Sequence, residues 1–250
     1  MYRGSRKHIL DWAESPTFLP ELLATVSPVE ARITAKSMWM PRSYREPDEA
    51  RLESFGPRFL SNHSAWSMLE SWWLRNPRGA NTPNWDIAVG CEIERTPGLI
   101  LVEAKANVRE LSDAGKAARE LESVKSKENK DQIGRAIDEA RRGLSSVAQD
   151  INISRDRCYQ LSNRLAFLWK LTSLGVPTVL LYLGFCGDAG IADAGEPLEN
   201  ADHWKSVFHE HAAALGADSL IGRRLEINSA PGWLLVEARN VIGCSSQPVD

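Results

Sequence analysis

The 250-residue sequence lacks the paired cysteines that mark disulfide frameworks and zinc fingers. Its cysteines are few and widely spaced: Cys91, Cys158, Cys186 and Cys244. They form no Cys-x-x-Cys pair, and no histidine lies at zinc-finger spacing from any of them. His209 and His211 also lack the four-residue spacing of a helical zinc pair. We therefore expect free, mostly buried thiols in a reducing compartment.

The sequence also lacks a long apolar run. Every apolar stretch is shorter than ten residues, so no segment is predicted to span a bilayer. Near the N-terminus, Arg6 and Lys7 are followed only by Ile9-Leu10 before Asp11, which is too short for the apolar core of a signal peptide. We expect a soluble, cytoplasmic protein with no membrane partner.

A large excess of one charge is missing as well. The 30 Lys and Arg against 33 Asp and Glu give a net charge of −3, which excludes a uniformly polybasic protein. The charge is nevertheless uneven, because residues 105–170 contain 14 basic and 10 acidic residues, whereas residues 187–217 contain one Lys and six acids. The 17 Gly and 13 Pro are ordinary, and nine Trp favour a well-packed globular interior.

The N-terminal third predicts short helices and extended arms packed on a larger body. Prolines interrupt residues 1–45, and a helix is expected over about Pro47–Phe55. A second helix, capped by Ser61 or Asn62, carries apolar residues around most of its circumference and ends before Asn76-Pro77. We expect one domain overall, in which an N-terminal extension, residues 1–60, packs on a main body of residues 61–250.

Two apolar runs predict an antiparallel hairpin. The first covers residues 85–93, the second residues 99–105, and Thr96-Pro97-Gly98 between them predicts the turn. The second run is apolar on both faces until Glu103, which is typical of a central strand.

The rest of the chain alternates between helices and strands. Residues 107–150 predict an exposed helical insertion, with its best helix at 131–148. A helix is expected at 157–173, a buried parallel strand at 176–183 and a helix at 202–215. The chain closes with a predicted hairpin of residues 224–228 and 233–238. The strand–helix–strand order implies a right-handed crossover and an α/β fold.

Three charged residues at the central hairpin are the main chemical signal. Glu103 and Lys105 point to one face of their strand, because side chains alternate along a strand. Asp86 begins the preceding strand, so antiparallel pairing brings it towards Glu103 at one sheet end. Two convergent carboxylates can hold a hard divalent cation, and a lysine beside them can orient or activate a water. This combination is suited to phosphodiester hydrolysis.

This pattern resembles the PD-(D/E)XK nuclease superfamily over about residues 61–185. The shared features are Asp86, Glu103-x-Lys105 on the next strand, and then a helix and a buried strand. The resemblance implies a restriction-endonuclease-like fold, with a mixed central sheet flanked by helices. The family's proline is displaced here, because Asn84-Trp85 precede Asp86 and Pro83 lies three residues upstream.

The resemblance also assigns roles within the expected site. It implies Asp86 and Glu103 as ligands of Mg²⁺ or Mn²⁺, and Lys105 as the residue that assists the nucleophilic water. Glu70, on the preceding helix, fits an auxiliary ligand, and Gln160 fits a positioning residue. The implied activity is metal-dependent cleavage of a nucleic acid, with DNA as the expected substrate. Cleavage of two strands would favour a homodimer.

Other interpretations stay open at this stage. The fold can be catalytically idle and bind nucleic acid or a protein partner, or the charges can form a simple ion pair at a strand end in an unrelated α/β interaction protein. The helix face with Gln160, Asn163, Arg164 and Phe167 can face the site or only solvent. Residues 231–239 repeat the pattern of residues 97–105, but we predict that Glu237 and Arg239 are not part of the site, because too little chain follows them. The arginines expected to contact a nucleic-acid backbone, or to pair within a solvated face, are Arg135, Arg141, Arg142, Arg155, Arg157 and Arg164.

Overall fold

A seven-stranded mixed sheet with helices on both faces forms the body of the protein. The computed structural model describes residues 2–34, 36–53, 63–78, 80–115, 123–227 and 229–241. The strands are β1 Ala31–Arg32, β2 Trp39–Met40, β3 Ala50–Arg51, β4 Asn84–Trp85, β5 Ile87–Ile93, β6 Thr96–Lys105, β7 Thr178–Cys186, β8 Arg224–Glu226 and β9 Pro231–Asn240. The main sheet has the order β1-β5-β6-β7-β9-β8, with β2 also paired to β5. β3 and β4 pair separately as a two-stranded sheet.

The predicted central hairpin is present as β5 and β6, with a different turn. Glu94 and Arg95 form the two-residue turn, and both have positive φ, 49° and 66°. Positive φ at both central residues matches the twist of the flanking strands. Thr96-Pro97-Gly98, expected to be the turn, instead begins β6. Gly98 is required there because a Cβ atom would lie 2.6 Å from the Pro177 carbonyl oxygen.

β6 is central, as its apolar composition predicted. It pairs antiparallel with β5 and parallel with β7, which in turn pairs parallel with β9. Every residue of β7 is buried, as expected for a strand covered on both faces. The C-terminal hairpin is formed by β8 and β9.

Six α-helices with defined bounds in the described part of the chain cover the sheet. They are α1 Gly4–Glu14, α2 Phe18–Thr25, α3 His63–Trp73, α4 Val124–Leu144, α5 Tyr159–Ser173 and α6 Ala201–Ala213. One core lies between α1, α2 and one sheet face, where Ile100, Leu181 and Leu235 point. The other core lies between α3–α6 and the opposite face, where Leu101 and Tyr182 point. Glu103 and Lys105 follow Leu101 at strand spacing, so they share the face covered by α3–α6.

Two helix predictions need correction. Residues 47–51 are not helical: Ala50 and Arg51 form β3, whose pairing with β4 outweighs their local preference. Leu52 and Glu53, within the expected range, are helical. Phe55, Ser61 and Asn62 lie outside the described residues. α4 begins at Val124 rather than Asp131, because the Ser123 side chain caps it by accepting a hydrogen bond from the Ser126 N–H.

Two expectations from composition are met among the described residues. Cys91, Cys158 and Cys186 are free and buried, whereas Cys244 lies outside the described residues. No helix in the described part of the chain is long and apolar enough to cross a membrane.

Candidate active site

Asp86 and Glu103 lie near each other at the end of the β5–β6 hairpin. Ile87 pairs with Val102 in the last pair of this ladder, and Asp86 directly precedes Ile87 while Glu103 directly follows Val102. Asp86 Oδ2 accepts a 2.8 Å hydrogen bond from the backbone N–H of Ala104. Both carboxyl groups line one cavity of about 500 Å³. Pairing of the two strands therefore brings the two acidic side chains to a common space.

Glu103 is surrounded by hydrogen-bond donors. Lys105 Nζ and Gln160 Nε2 donate to Oε1 at 2.5 and 2.6 Å. Arg164 Nε and Nη2 both approach Oε2, at 2.7 and 2.6 Å. Only 3% of the Glu103 side chain is exposed, so these donors replace the water that the carboxylate has lost.

The two carboxyl groups differ in their electrostatics. Burial raises the pKa of Glu103, but Arg164 and Lys105 outweigh it and bring that pKa below its usual range. Burial raises the pKa of Asp86 to about 7, and the nearby Glu103 charge adds to the effect. Glu103 is therefore an ionised carboxylate, whereas Asp86 titrates near neutral pH.

α5 supplies the positive side of the cavity. Arg164 also donates from Nη2 to the Asn84 carbonyl oxygen at 2.6 Å, and its Cζ lies 4.3 Å from the Trp85 ring centroid. Gln160 and Asn163 line the cavity beside it. The polar face of this helix thus faces the carboxylates, and simple solvation does not describe it. Phe167, on the same face, is buried against Trp73, with ring centroids 4.8 Å apart.

Glu49 is a cavity residue that the sequence did not suggest. It precedes β3, and its Oε2 accepts a 3.0 Å hydrogen bond from Asn84 Nδ2. Its charge also contributes to the raised pKa of Asp86, after burial and Glu103. Glu49 is positioned by the pairing of two strands of only two residues each, which are too short to show an alternating sequence pattern. The sequence therefore predicted a helix for this segment.

Glu70 occupies a different position from the other expected site residues. It lies on α3, as predicted, but it is not among the described residues that line the cavity. From α3 the cavity receives Trp73 instead. Glu49 therefore supplies a carboxyl group to the cavity where Glu70 was expected to do so.

The repeated segment in β9 lies outside the cavity lining. A row of the sheet is the set of residues that pair side by side across neighbouring strands. Tyr182 pairs with Glu103 on one side and with Val236 on the other, so Glu237 lies one row further along, in the row of Ala104. Adjacent rows point to opposite faces of a sheet. Arg239 accordingly contacts Glu21 Oε2 at 2.6 Å, on the side of α1 and α2.

Two of the basic residues noted in the sequence pair locally. Arg141 contacts Asp138 at 3.4 Å, one turn away on α4. Arg155 lies 3.7 Å from Asp131 and 3.4 Å from Asp156. These contacts match the interpretation of a solvated face with internal ion pairs, whereas Arg164 is the arginine that lines the cavity.

The side chains at the cavity have the chemistry of a hard-cation site. Asp86, Glu103 and Glu49 offer carboxylate oxygens, which Mg²⁺ and Mn²⁺ prefer. Asp86 Oδ1 accepts no hydrogen bond from the described residues. The raised pKa of Asp86 means that its ionised form is disfavoured in the metal-free protein, and a bound cation would stabilise that form. Glu103 already accepts three hydrogen bonds and has Arg164 Nη2 in ion-pair contact, so a cation that binds it replaces one of these partners.

Comparison of the chain with protein-family models, with curated proteins and with solved structures gives no match.

Proposed function

We propose that this protein is a metal-dependent nuclease that cleaves nucleic-acid phosphodiesters, with DNA as the expected substrate. The observation that carries the proposal is that Asp86 and Glu103 line one cavity at the end of the β5–β6 hairpin, with Lys105 Nζ 2.5 Å from Glu103 Oε1. The mixed α/β architecture, with a helix and a parallel strand after the hairpin, supports a restriction-endonuclease-like fold.

Asp86 and Glu103 are the proposed ligands for Mg²⁺ or Mn²⁺, with Glu49 as an auxiliary carboxylate. A bound divalent cation supplies Lewis-acid polarisation of the phosphodiester and stabilises its developing negative charge. Its binding favours ionised Asp86, which otherwise keeps its proton up to about pH 7.

The remaining polar side chains act on the carboxylates and on a water nucleophile. Lys105 places a positive charge beside Glu103, where an ammonium group can orient an attacking water. Gln160 and Arg164 fix the Glu103 carboxylate through donors on both of its oxygens, and so act as positioning residues. The cavity, which is also lined by Asn81, Thr82 and Pro83, has a volume of about 500 Å³ and leaves room for part of a sugar–phosphate backbone.

A specific observation favours a second candidate, the catalytically idle fold. Two cations and Gln160 already satisfy Glu103, which is the arrangement of a stable buried ion cluster. In this alternative the protein binds nucleic acid or a protein partner, and the cluster only holds β6 to α5.

Cleavage assays with single-residue variants separate the two candidates. Purified protein is incubated with plasmid DNA, single-stranded DNA and RNA, with Mg²⁺, with Mn²⁺ or with a chelator. We expect metal-dependent cleavage by the wild type and a loss of at least about 10²-fold in Lys105→Ala, because a positioned acid–base or electrostatic group is removed. Calorimetry should show that Lys105→Ala still binds Mg²⁺, whereas Asp86→Asn binds it more weakly.

Glu237→Ala is the matched control, because it removes the equivalent acid of the repeated segment. Its cleavage rate should match that of the wild type, and a loss as large as that of Glu103→Ala would show that the site lies at β9. Metal binding without cleavage of any substrate would favour the idle fold. Binding of neither metal nor nucleic acid would leave only the ion pair at the strand end.

A further inference from the structure

Three side chains with metal-binding chemistry meet beside the carboxylate cavity. Asp113 follows β6, Cys158 directly precedes α5, and His211 lies in α6. One potential ligand atom from each residue lies within 4.8 Å of the others. Cys158 Sγ is 3.4 Å, and His211 Nδ1 is 3.3 Å, from the same oxygen, Asp113 Oδ1.

These separations fit the edges of a tetrahedron around zinc. With Zn–S near 2.3 Å and Zn–N and Zn–O near 2.0–2.2 Å, tetrahedral angles set neighbouring nitrogen and oxygen ligands about 3.3–3.5 Å apart, and neighbouring sulfur and oxygen ligands about 3.5–3.7 Å apart. The His211–Asp113 distance of 3.3 Å matches the first range, and the Cys158–Asp113 distance of 3.4 Å lies just below the second. They are also hydrogen-bond distances, so the experiment must distinguish a metal site from a hydrogen-bonded triad.

The backbone holds two of the three ligands in place. Cys158 N–H donates to the Asp113 carbonyl oxygen at 3.0 Å, and Tyr159 N–H donates to that of Ala114 at 3.1 Å. Gly115 packs so closely on the facing segment that a Cβ atom there would lie 2.5 Å from the Asp156 carbonyl oxygen. The two segments are therefore fixed against each other by contacts that do not involve the Asp113 or Cys158 side chains.

The surroundings also suit a metal with three protein ligands and one solvent ligand. The His211 side chain is 7% exposed and Cys158 is buried, whereas the Asp113 side chain is 77% exposed, so the cluster opens to water on one side. Burial lowers the pKa of His211, although Asp113 opposes the effect, and the charges of Lys105 and Arg157 lower it further. The imidazole is thus neutral at physiological pH, which is the form that binds metals.

The same surroundings argue against a catalytic thiolate. Burial and the contact with Asp113 raise the pKa of Cys158 to about 11, so the metal-free thiol keeps its proton at neutral pH. An activated cysteine needs the opposite shift.

We propose that Asp113, Cys158 and His211 bind one Zn²⁺ ion, with a water molecule as the fourth ligand. Thiolate and imidazole select zinc over magnesium, which prefers oxygen ligands only. On binding, the Cys158 thiol releases its proton to solvent and a Zn–S bond forms, while the His211 proton resides on Nε2 and Nδ1 bonds the metal. The ion would join the segment after β6 and the start of α5 to α6, beside the elements that carry Glu103 and Gln160.

The test uses the full chain after removal of metals with a chelator. Zn²⁺ is titrated against a chromogenic chelator, and Co²⁺ is added separately as a spectroscopic probe. We expect one Zn²⁺ per chain, a higher melting temperature with Zn²⁺, and a thiolate-to-Co²⁺ charge-transfer band. Cys158→Ser, His211→Gln and Asp113→Asn should each weaken Zn²⁺ binding by about 10²-fold or more, because loss even of an outer-sphere partner costs 10–100-fold.

Two control variants make the outcome unambiguous. Cys91→Ser removes another buried thiol and should leave binding unchanged. Asp86→Asn should also bind Zn²⁺ normally, because the proposed site is separate from the carboxylate cavity. Absence of stoichiometric binding, or binding that survives Cys158→Ser and Asp113→Asn but fails in Asp86→Asn, would overturn the proposal. Asp113 is exposed, so Asp113→Asn is expected to fold. This variant therefore still tests the proposal if Cys158→Ser fails to fold.

Discussion

Arg164 on α5 holds the Glu103 carboxylate on β6 with two nitrogens of one guanidinium, at 2.7 and 2.6 Å from Oε2. Both side chains are at least 94% buried. The pair is therefore a buried ion pair between a helix and the central strand, supported by Lys105 on the other carboxylate oxygen. Buried pairs of this kind are costly to break from one side, because the remaining charge loses its partner.

Arg164→Met should therefore destabilise the protein strongly. We expect a loss of about 3–5 kcal/mol in the free energy of unfolding, because Glu103 is left with an incomplete set of donors. The control is Arg141→Met, which breaks an ion pair on the surface of α4 and should cost no more than about 1 kcal/mol. Urea denaturation measures both. Equal losses in the two variants would mean that the Glu103–Arg164 pair contributes no more than a surface contact.

Glu49 and Glu70 offer a direct comparison of two carboxylates near the candidate site. Glu49 lines the cavity, whereas Glu70 is not among its described lining residues. Glu49→Gln should weaken Mg²⁺ or Mn²⁺ binding several-fold, because it removes one negative charge from the cavity. Glu70→Gln should leave the affinity unchanged. Isothermal titration calorimetry on both variants measures these affinities. Weaker binding by Glu70→Gln than by Glu49→Gln would show that Glu70 is the auxiliary ligand.

The hairpin and its charged end were predictable because the relevant signals are local. Alternation along β6 fixes the common face of Glu103 and Lys105, and the apolar run predicts a central strand. Pairing with β5 then brings Asp86, which directly precedes this strand, close to Glu103. The pairing with β7 sets Glu237 level with Ala104 rather than with Glu103, although its sequence surroundings resemble those of Glu103.

The rest of the site depends on contacts between distant segments, which leave no periodic pattern. Glu49 arrives through β3 and β4, two strands of only two residues each. Asp113, Cys158 and His211 come from three separate segments, two loops and α6, and lack any motif spacing. Arg164 looks like one polar residue on a solvated face until α5 is packed on the sheet, where it meets Glu103.

Two glycines in α4 should respond oppositely to the same substitution. Gly134→Ala adds a Cβ atom that meets only the flexible end of Arg155 at 3.4 Å, so it should stabilise the protein by about 0.5–1 kcal/mol through helix propensity. Gly143→Ala places its Cβ against the Trp169 indole, so the ring must move and stability should fall. Thermal unfolding of both variants checks the signs. Stabilisation by Gly143→Ala would contradict the packing of α4 on α5.

Asp86→Asn should stabilise the metal-free protein, and by an amount that depends on pH. The pKa of Asp86 is about 7 in the folded protein and about 3.9 in an unfolded chain. Between these values the folded state binds more protons, so this group makes the wild type less stable as pH rises from about 4 to 7. The amide carries no charge, and its oxygen can still accept from the Ala104 N–H.

The stability difference between Asp86→Asn and the wild type should therefore grow across this window. It should be near zero at pH 4 and reach a plateau of up to about 4 kcal/mol above pH 7, since each pKa unit corresponds to about 1.4 kcal/mol. Urea denaturation of both proteins in chelator, at half-unit steps of pH, measures the curve. A stability difference that stays constant with pH would show that burial and Glu103 do not raise the pKa of Asp86. A rising curve would mark Asp86 as a carboxylate that lowers the stability of the folded protein, which is expected of a group retained for binding a cation.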